Sequence, residues 1–269
     1  MATLGDMAVG DTVKLKVDGA SKNFIVVHQG LPSSDYDSSC NGTWLLMENA
    51  YSKKAFDSTN HDYANSDANT YLNNTFFNLL GDDVKESAKQ VKIPYTKINT
   101  SNGTKGGAAL QKQTSGLSVK VFLLSQMEVL GTVDYDSVLQ NYSEGTILDY
   151  FNGADNNARV AKTSSGTAVA WWLRTPRLYA NNFANANATG EKYITTSGEG
   201  SAIAVTTTNA YIRPALILPS TFEVASSTLN GIATIGSTAK DLVGGYANIG
   251  GTWKEIVKQY TNIGGVWKE

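Results

Sequence analysis

Ala170-Trp171-Trp172-Leu173-Arg174-Thr175-Pro176 and Tyr211-Ile212-Arg213-Pro214-Ala215-Leu216 are the two stretches that decide the fold. Both are short apolar runs broken by an arginine, and aromatic and branched residues in runs of this length read as strands, here Ala168 to Arg174 and Tyr211 to Leu218. An unpaired guanidinium is costly to bury, so Arg174 and Arg213 are expected to be paired with carboxylates or carbonyls and to fix the fold. Trp171, Trp172, Leu173 and Leu216 are the expected core around them.

Further strands are expected at Lys192 to Thr196 and Ala202 to Val205. Toward the start, Thr12 to Val17 alternates apolar and polar residues. Asp18-Gly19 supplies a tight turn into Asn23 to Gln29, which predicts a hairpin. Thr43 to Glu48 follows Asn41-Gly42 as a continuous apolar run and suits a strand buried on both faces. Val119 to Leu124 is another strand.

Helices are expected in the middle of the chain. Ser66 can cap one whose apolar positions Ala68, Tyr71, Leu72, Phe76, Leu79 and Leu80 recur at helical spacing, with Gly81 closing it in a left-handed turn. A second is predicted from about Asp82 to Val91, stopped by Pro94. Ser125 and Glu128 have the spacing of a capping box, and another short helix is expected near Thr146 to Phe151. The glycine-rich stretch Asn99 to Gly116 reads as an exposed loop. Strands at both ends around central helices make an α+β domain over 1–225 whose terminal strands lie close together. After a linker, 226–245, two ten-residue segments starting at Tyr246 and Tyr260 share eight positions, fourteen residues apart. Each places aromatics on either side of Gly-Gly, the layout of a small β-hairpin that must lean on its own repeat or on another subunit.

Composition narrows the function. Charged residues make up 17% of the chain and the net charge is −2, which argues against a nucleic-acid partner. No apolar stretch approaches the roughly 18 residues of a membrane span and no secretory signal opens the chain, so synthesis in a cytoplasm without membrane insertion is expected. The 25 Gly and 13 Tyr, with abundant Asn, Ser and Thr, suit loops that recognise ligands by neutral hydrogen bonds and aromatic faces. Cys40 stands alone and is expected to be a buried thiol, since neither His28 nor His61 offers it a catalytic setting. Asp35, Asp37 and Asn41-Gly42 lack the closing glutamate of a calcium loop, Leu46 standing in its place, so no metal and no cofactor are expected.

The two arginine-bearing stretches, together with Gly10-Asp11-Thr12-Val13, Gly42-Thr43-Trp44-Leu45-Leu46 and Val121-Phe122-Leu123-Leu124-Ser125, resemble an uncharacterised domain family of phages of Gram-positive bacteria, over residues 4 to 225. The Trp-Trp-Leu-Arg and Arg-Pro-Ala-Leu pair is also similar to the C-type-lectin-like fold shared by formylglycine-generating enzymes and the variable proteins of diversity-generating retroelements. The resemblance implies a non-enzymatic virion protein of the tail fibre or tail tip, binding a host cell-surface receptor, protein or glycan. Other tail proteins and further copies of the chain are the implied partners. The aperiodic, Asn-rich stretch between the apolar strands ending at Arg174 and beginning at Tyr211 makes Tyr179, Asn181, Asn182, Phe183, Asn185, Asn187 and Tyr193 the expected ligand-binding surface, and the resemblance implies that it is open to retroelement diversification. The enzyme branch needs a pair of cysteines that this chain lacks, so a formylglycine-generating activity is the weaker expectation; a decoration or assembly protein without its own receptor is the nearer alternative.

Overall fold

A computed structural model of the chain describes residues 2–58, 63–98, 110–132, 144–177, 190–224 and, beyond these, 232–235, 238–241, 246–249, 252–255, 261–263 and 266–268. The chain divides into two compact units, Thr3–Phe222 and a second formed by the first two residues with Glu223–Glu269. Strands dominate the first unit and helices are few and short.

Two five-stranded sheets carry it. The first runs in the order Thr12–Val17, Ala20–Gly30, Gly42–Met47, Ala215–Leu218, Val121–Phe122, and each neighbouring pair is antiparallel. Its opening hairpin turns at Asp18 and Gly19, both with positive φ (52° and 71°). That is the backbone a two-residue hairpin connection requires and the reason for the Asp-Gly pair. Gly42–Met47 is buried at every position because it lies in the middle of this sheet, as its unbroken apolar run implies. The second sheet has the order Gly200–Ala204, Gly190–Ile194, Trp171–Arg177, Tyr211–Ile212, Ser52–Lys53. The ends of the unit meet, as expected from strands at both termini: Leu4 N–H donates to the Phe222 carbonyl (2.9 Å) and Gly5 N–H to that of Ser220 (2.8 Å).

Arg213 sits where the chain passes from one sheet to the other. Tyr211–Ile212 belongs to the second sheet and Ala215–Leu218 to the first, so the predicted single strand is two, broken at Arg213-Pro214. The guanidinium donates to the carbonyls of Met47 (2.9 Å) and Glu48 (3.1 Å), where a second crossing leaves the first sheet, and stacks 4.8 Å from the Trp171 ring centroid. Burial pushes its pKa down to about 10, the cost of holding a cation in a protein interior. The core is aromatic. Trp44 meets Tyr36 and Phe122 edge-on at 5.5 Å, and Trp172 meets Phe56 at 5.7 Å. The indole N–H groups of Trp171 and Trp172 donate to Arg159 O (2.9 Å) and Lys54 O (2.8 Å), so neither ring is buried at the expense of an orphan donor.

Several expectations are corrected. Ser66 does cap the first helix, its hydroxyl accepting from Asn69 N–H, but the helix passes through a π-helical segment, Tyr71–Phe76, before ending in Phe77–Leu79. Within it Asn73 accepts from Lys120 N–H (3.0 Å) and Val121 N–H (3.2 Å) and donates to Val121 O (3.0 Å), satisfying backbone next to a break between strands. Gly81 is not left-handed (φ −58°). It stands instead at a close approach, where a Cβ would lie 2.7 Å from Asp83 Oδ1 and 3.1 Å from Lys16 Cβ, while its N–H donates to Lys16 O. The second helix stops at Ser87, and Val91–Ile98 is a strand that includes Pro94. Proline is tolerated because the register of the Val91–Ile98/Leu110–Val119 hairpin shifts between Ile93 and Tyr95, a bulge at which no ladder donor is needed. The stretch read as a loop from Asn99 to Gly116 thus contributes residues 110–116 to a strand, while 99–109 lie outside the described residues. Residues 146–148 are irregular and 149–151 a turn rather than a helix, and a short helix appears at Asn156–Arg159. The stretch read as a linker contains a hairpin, Ile232–Ile235 with Thr238–Asp241.

Candidate functional site: a buried charge clamp joining residues at the ends of three connections

Arg174 is fully buried and every N–H of its guanidinium is used. Nη1 and Nη2 each donate to one carboxylate oxygen of Glu128 at 2.7 Å, Nη1 also reaches Leu123 O (2.8 Å), Nη2 reaches Glu144 O (3.2 Å), and Nε donates to Pro94 O (3.1 Å). The two-pronged geometry is the strongest arrangement open to this pair. Burial alone would lower the guanidinium pKa, but Glu128 and Glu144 beside it hold it above its ordinary value. Glu128 owes its place to the capping box that the sequence predicts. Ser125 Oγ accepts from Glu128 N–H (3.0 Å) and a Glu128 oxygen accepts from Ser125 N–H (2.8 Å), starting the helix Gln126–Leu130. The Tyr36 hydroxyl donates to Glu128 (3.0 Å) and accepts from Thr146 N–H (3.1 Å).

A second buried carboxyl completes the cluster. Glu144, 2% exposed, accepts from Thr96 N–H at 2.6 Å and from the Thr175 hydroxyl at 2.5 Å, and Thr175 Oγ in turn accepts from Gln126 N–H at 2.8 Å. One guanidinium faces two carboxyls here, so ionising both leaves an excess negative charge in the interior. Burial therefore pushes Glu144 up to about 7 against the pull of Arg174, Thr175 and Thr96, and Glu128 adds to the rise. Gln126, whose backbone N–H reaches Thr175, has a buried side-chain amide with neither polar atom hydrogen-bonded.

The cluster ties together residues far apart in sequence. Thr96 lies three residues before the segment 99–109, Glu144 directly follows 133–143, and Arg174 and Thr175 lie just before 178–189. The bases of three connections are thus joined through one buried network. Those of the third are also held by strand pairing, Trp171–Arg177 running antiparallel to Gly190–Ile194 with Pro176 opposite Glu191 and Arg177 opposite Gly190.

Of the predicted binding residues, Tyr179, Asn181, Asn182, Phe183, Asn185 and Asn187 lie outside the described residues. Tyr193 is half-buried in the adjoining strand, opposite Trp172, with the two ring centroids 6.3 Å apart. Trp171, Trp172, Arg174 and Arg213 are all buried. Sequence reasoning missed Glu144 and Thr96. Neither sits in a motif, and what distinguishes them is pairing across 31 and 48 residues. Cys40 is buried, its thiol pushed up to about 11 chiefly by burial. Among the described residues no group of His, Cys, Asp or Glu is placed to hold a metal ion, and no helix is long and apolar enough to cross a membrane.

No curated protein and no solved structure matches the chain. A family profile matches residues 41–220, from the strand after Cys40 to the end of the first sheet, and so takes in Arg174, Glu128, Glu144 and Arg213. The chain belongs to this family, described as a domain of unknown function (DUF6273).

Proposed function

We propose that the chain is a phage virion protein, of the tail fibre or tail tip, whose C-type-lectin-like domain binds a receptor on the host cell surface without catalysis. The observation that carries the reading is the clamp. Three connections are joined at their bases by one buried, hydrogen-bonded network, and side chains on segments anchored in this way can change without disturbing the core, which is the arrangement recognition surfaces use. The segment 178–189 is rich in Asn and carries Tyr179 and Phe183. Aromatic side chains supply contact area and Asn supplies adaptable hydrogen bonds, a chemistry suited to a glycan or to a polar protein surface. The adjoining termini and the two-sheet architecture support the lectin-like reading, and the phage setting rests on the sequence resemblance. Display rather than catalysis is favoured because the most heavily coupled ionisable groups, Arg174, Glu128 and Glu144, are buried in satisfied hydrogen bonds, and the lone thiol is a poor nucleophile.

The test is binding of the fluorescently labelled protein to intact Gram-positive cells and to purified cell envelope. Saturable adsorption that unlabelled protein displaces is the expected result. Absence of saturable binding to envelopes from a panel of hosts would overturn the receptor reading in favour of a decoration protein.

A further inference from the structure

We propose that the tail is an array of three repeats, not two, and that its hairpins assemble against those of other copies of this chain. The observation is a common register. Ile232–Ile235 pairs with Thr238–Asp241, Tyr246–Ile249 with Thr252–Glu255, and Thr261–Ile263 with Val266–Lys268. In these three hairpins Ile235 faces Thr238, Ile249 faces Thr252 and Ile263 faces Val266 across the ladder, and Thr234, Asn248 and Asn262 stand opposite Ala239, Trp253 and Trp267. The equivalent positions are fourteen residues apart throughout, and Ile-Gly, the lysine, and the acidic residue after it recur in all three copies: Ile235-Gly236, Ile249-Gly250 and Ile263-Gly264, then Lys240-Asp241, Lys254-Glu255 and Lys268-Glu269. Leu242-Val243 and Ile256-Val257 continue the match. The segment 232–241 is therefore a first repeat, in which Ile232 and Ala239 occupy the Tyr and Trp positions.

Each ladder is two-stranded, and among the described residues no strand of one hairpin is hydrogen-bonded to a strand of another. Two-stranded hairpins of three or four residues per strand are marginal in water and gain stability only when covered. A repeat that cannot bury its own apolar residues is stabilised by stacking on equivalent units, and the outermost unit of such a stack departs from the consensus. The divergent first copy fits that pattern. Charge points to the occupant. Every copy carries one lysine followed by one acid, and with Lys258 the stretch holds four lysines against three acids; charges of both signs so interspersed neither repel an identical array strongly nor offer a large single-sign field to a polyanion, and identical copies can pair opposite charges. This inference is independent of the receptor reading, which concerns 179–193.

The test is light scattering coupled to size exclusion on the full chain over a range of concentrations, with W253A/W267A and I235P alongside. The parent is expected at a multiple of 28.8 kDa and W253A/W267A at the single-chain mass. Ile235→Pro, which breaks the first hairpin, is expected to raise the concentration for half-dissociation by about tenfold or more. Circular dichroism melting of the unit 3–222 should be unchanged in both, showing that the effect is confined to the array. A parent of single-chain mass at every concentration, or W253A/W267A keeping the parent's mass, overturns assembly through the tail. I235P that dissociates like the parent overturns the third repeat.

Discussion

Replacing Glu144 by Gln should flatten the pH dependence of stability. Glu144 titrates near 4.5 when unfolded and is pushed up to about 7 in the fold. Between those values the native protein keeps a proton that the unfolded chain has released. The contribution of Glu144 to stability is therefore greatest below about pH 4.5, falls as pH rises through this window, and levels off above the folded value. At 1.36 kcal/mol per unit the shift corresponds to about 3 kcal/mol. Gln presents the same outline as the protonated carboxyl. Its carbonyl can accept from Thr96 N–H and its amide can donate to Thr175 Oγ, so the clamp survives without the excess charge. The assay is urea unfolding of parent and Glu144→Gln at steps between about pH 4.5 and pH 8. Asp6, Asp37, Asp82 and Asp155 are exposed and hydrogen-bonded, with pKa values below the ordinary carboxylate value. They act in the opposite sense but equally in both proteins, so the difference between the two curves isolates Glu144. The variant should match the parent near pH 4.5 and exceed it by roughly 2 to 3 kcal/mol at pH 8. Parallel curves would refute the claim that Glu144 carries the buried excess charge.

Other substitutions test the frame around it. Arg174→Leu leaves Glu128 and Glu144 facing each other in the interior and should cost about 3 to 5 kcal/mol in chemical unfolding, whereas an unchanged midpoint would show that the clamp is not structural. Trp171→Ala and Trp172→Ala should each cost about 3 to 5 kcal/mol, read as a drop in thermal midpoint. Cys40, buried and with its thiol raised to about 11, should react with iodoacetamide at neutral pH only after unfolding; rapid alkylation of the native protein would contradict its placement.

What the sequence reveals follows from how local the cause is. The Thr12–Val17 hairpin is legible because alternation and an Asp-Gly turn are both local, and the Ser125–Glu128 capping box because its two partners are three residues apart. Gly42–Met47 is legible because a short unbroken apolar run directly after Asn41-Gly42 suits a strand covered on both faces. The strand Leu110–Val119 escapes notice because a two-stranded ribbon imposes no strict alternation, and Gln111-Lys112-Gln113 gives none. Pro94 misleads because its usual effect on helices is sound, while the bulge that tolerates it is set by the partner strand. The arginines at 174 and 213 show that a buried cation was to be paired, but not with what. Glu128 lies 46 residues away from Arg174, and only the fold brings them together. The first tail repeat is hidden by Ile232 and Ala239, which remove the aromatic signal and leave only the spacing.

Exchanging Tyr179, Asn182, Phe183 and Asn185 together for Ala tests most directly whether the segment 178–189 binds while the buried network at its base holds the fold. The thermal midpoint and the adsorption to host cells or purified envelope are measured on the same preparation. A midpoint equal to the parent's with adsorption lost is the expected result; adsorption retained, or a midpoint that collapses, would contradict a binding role for this segment.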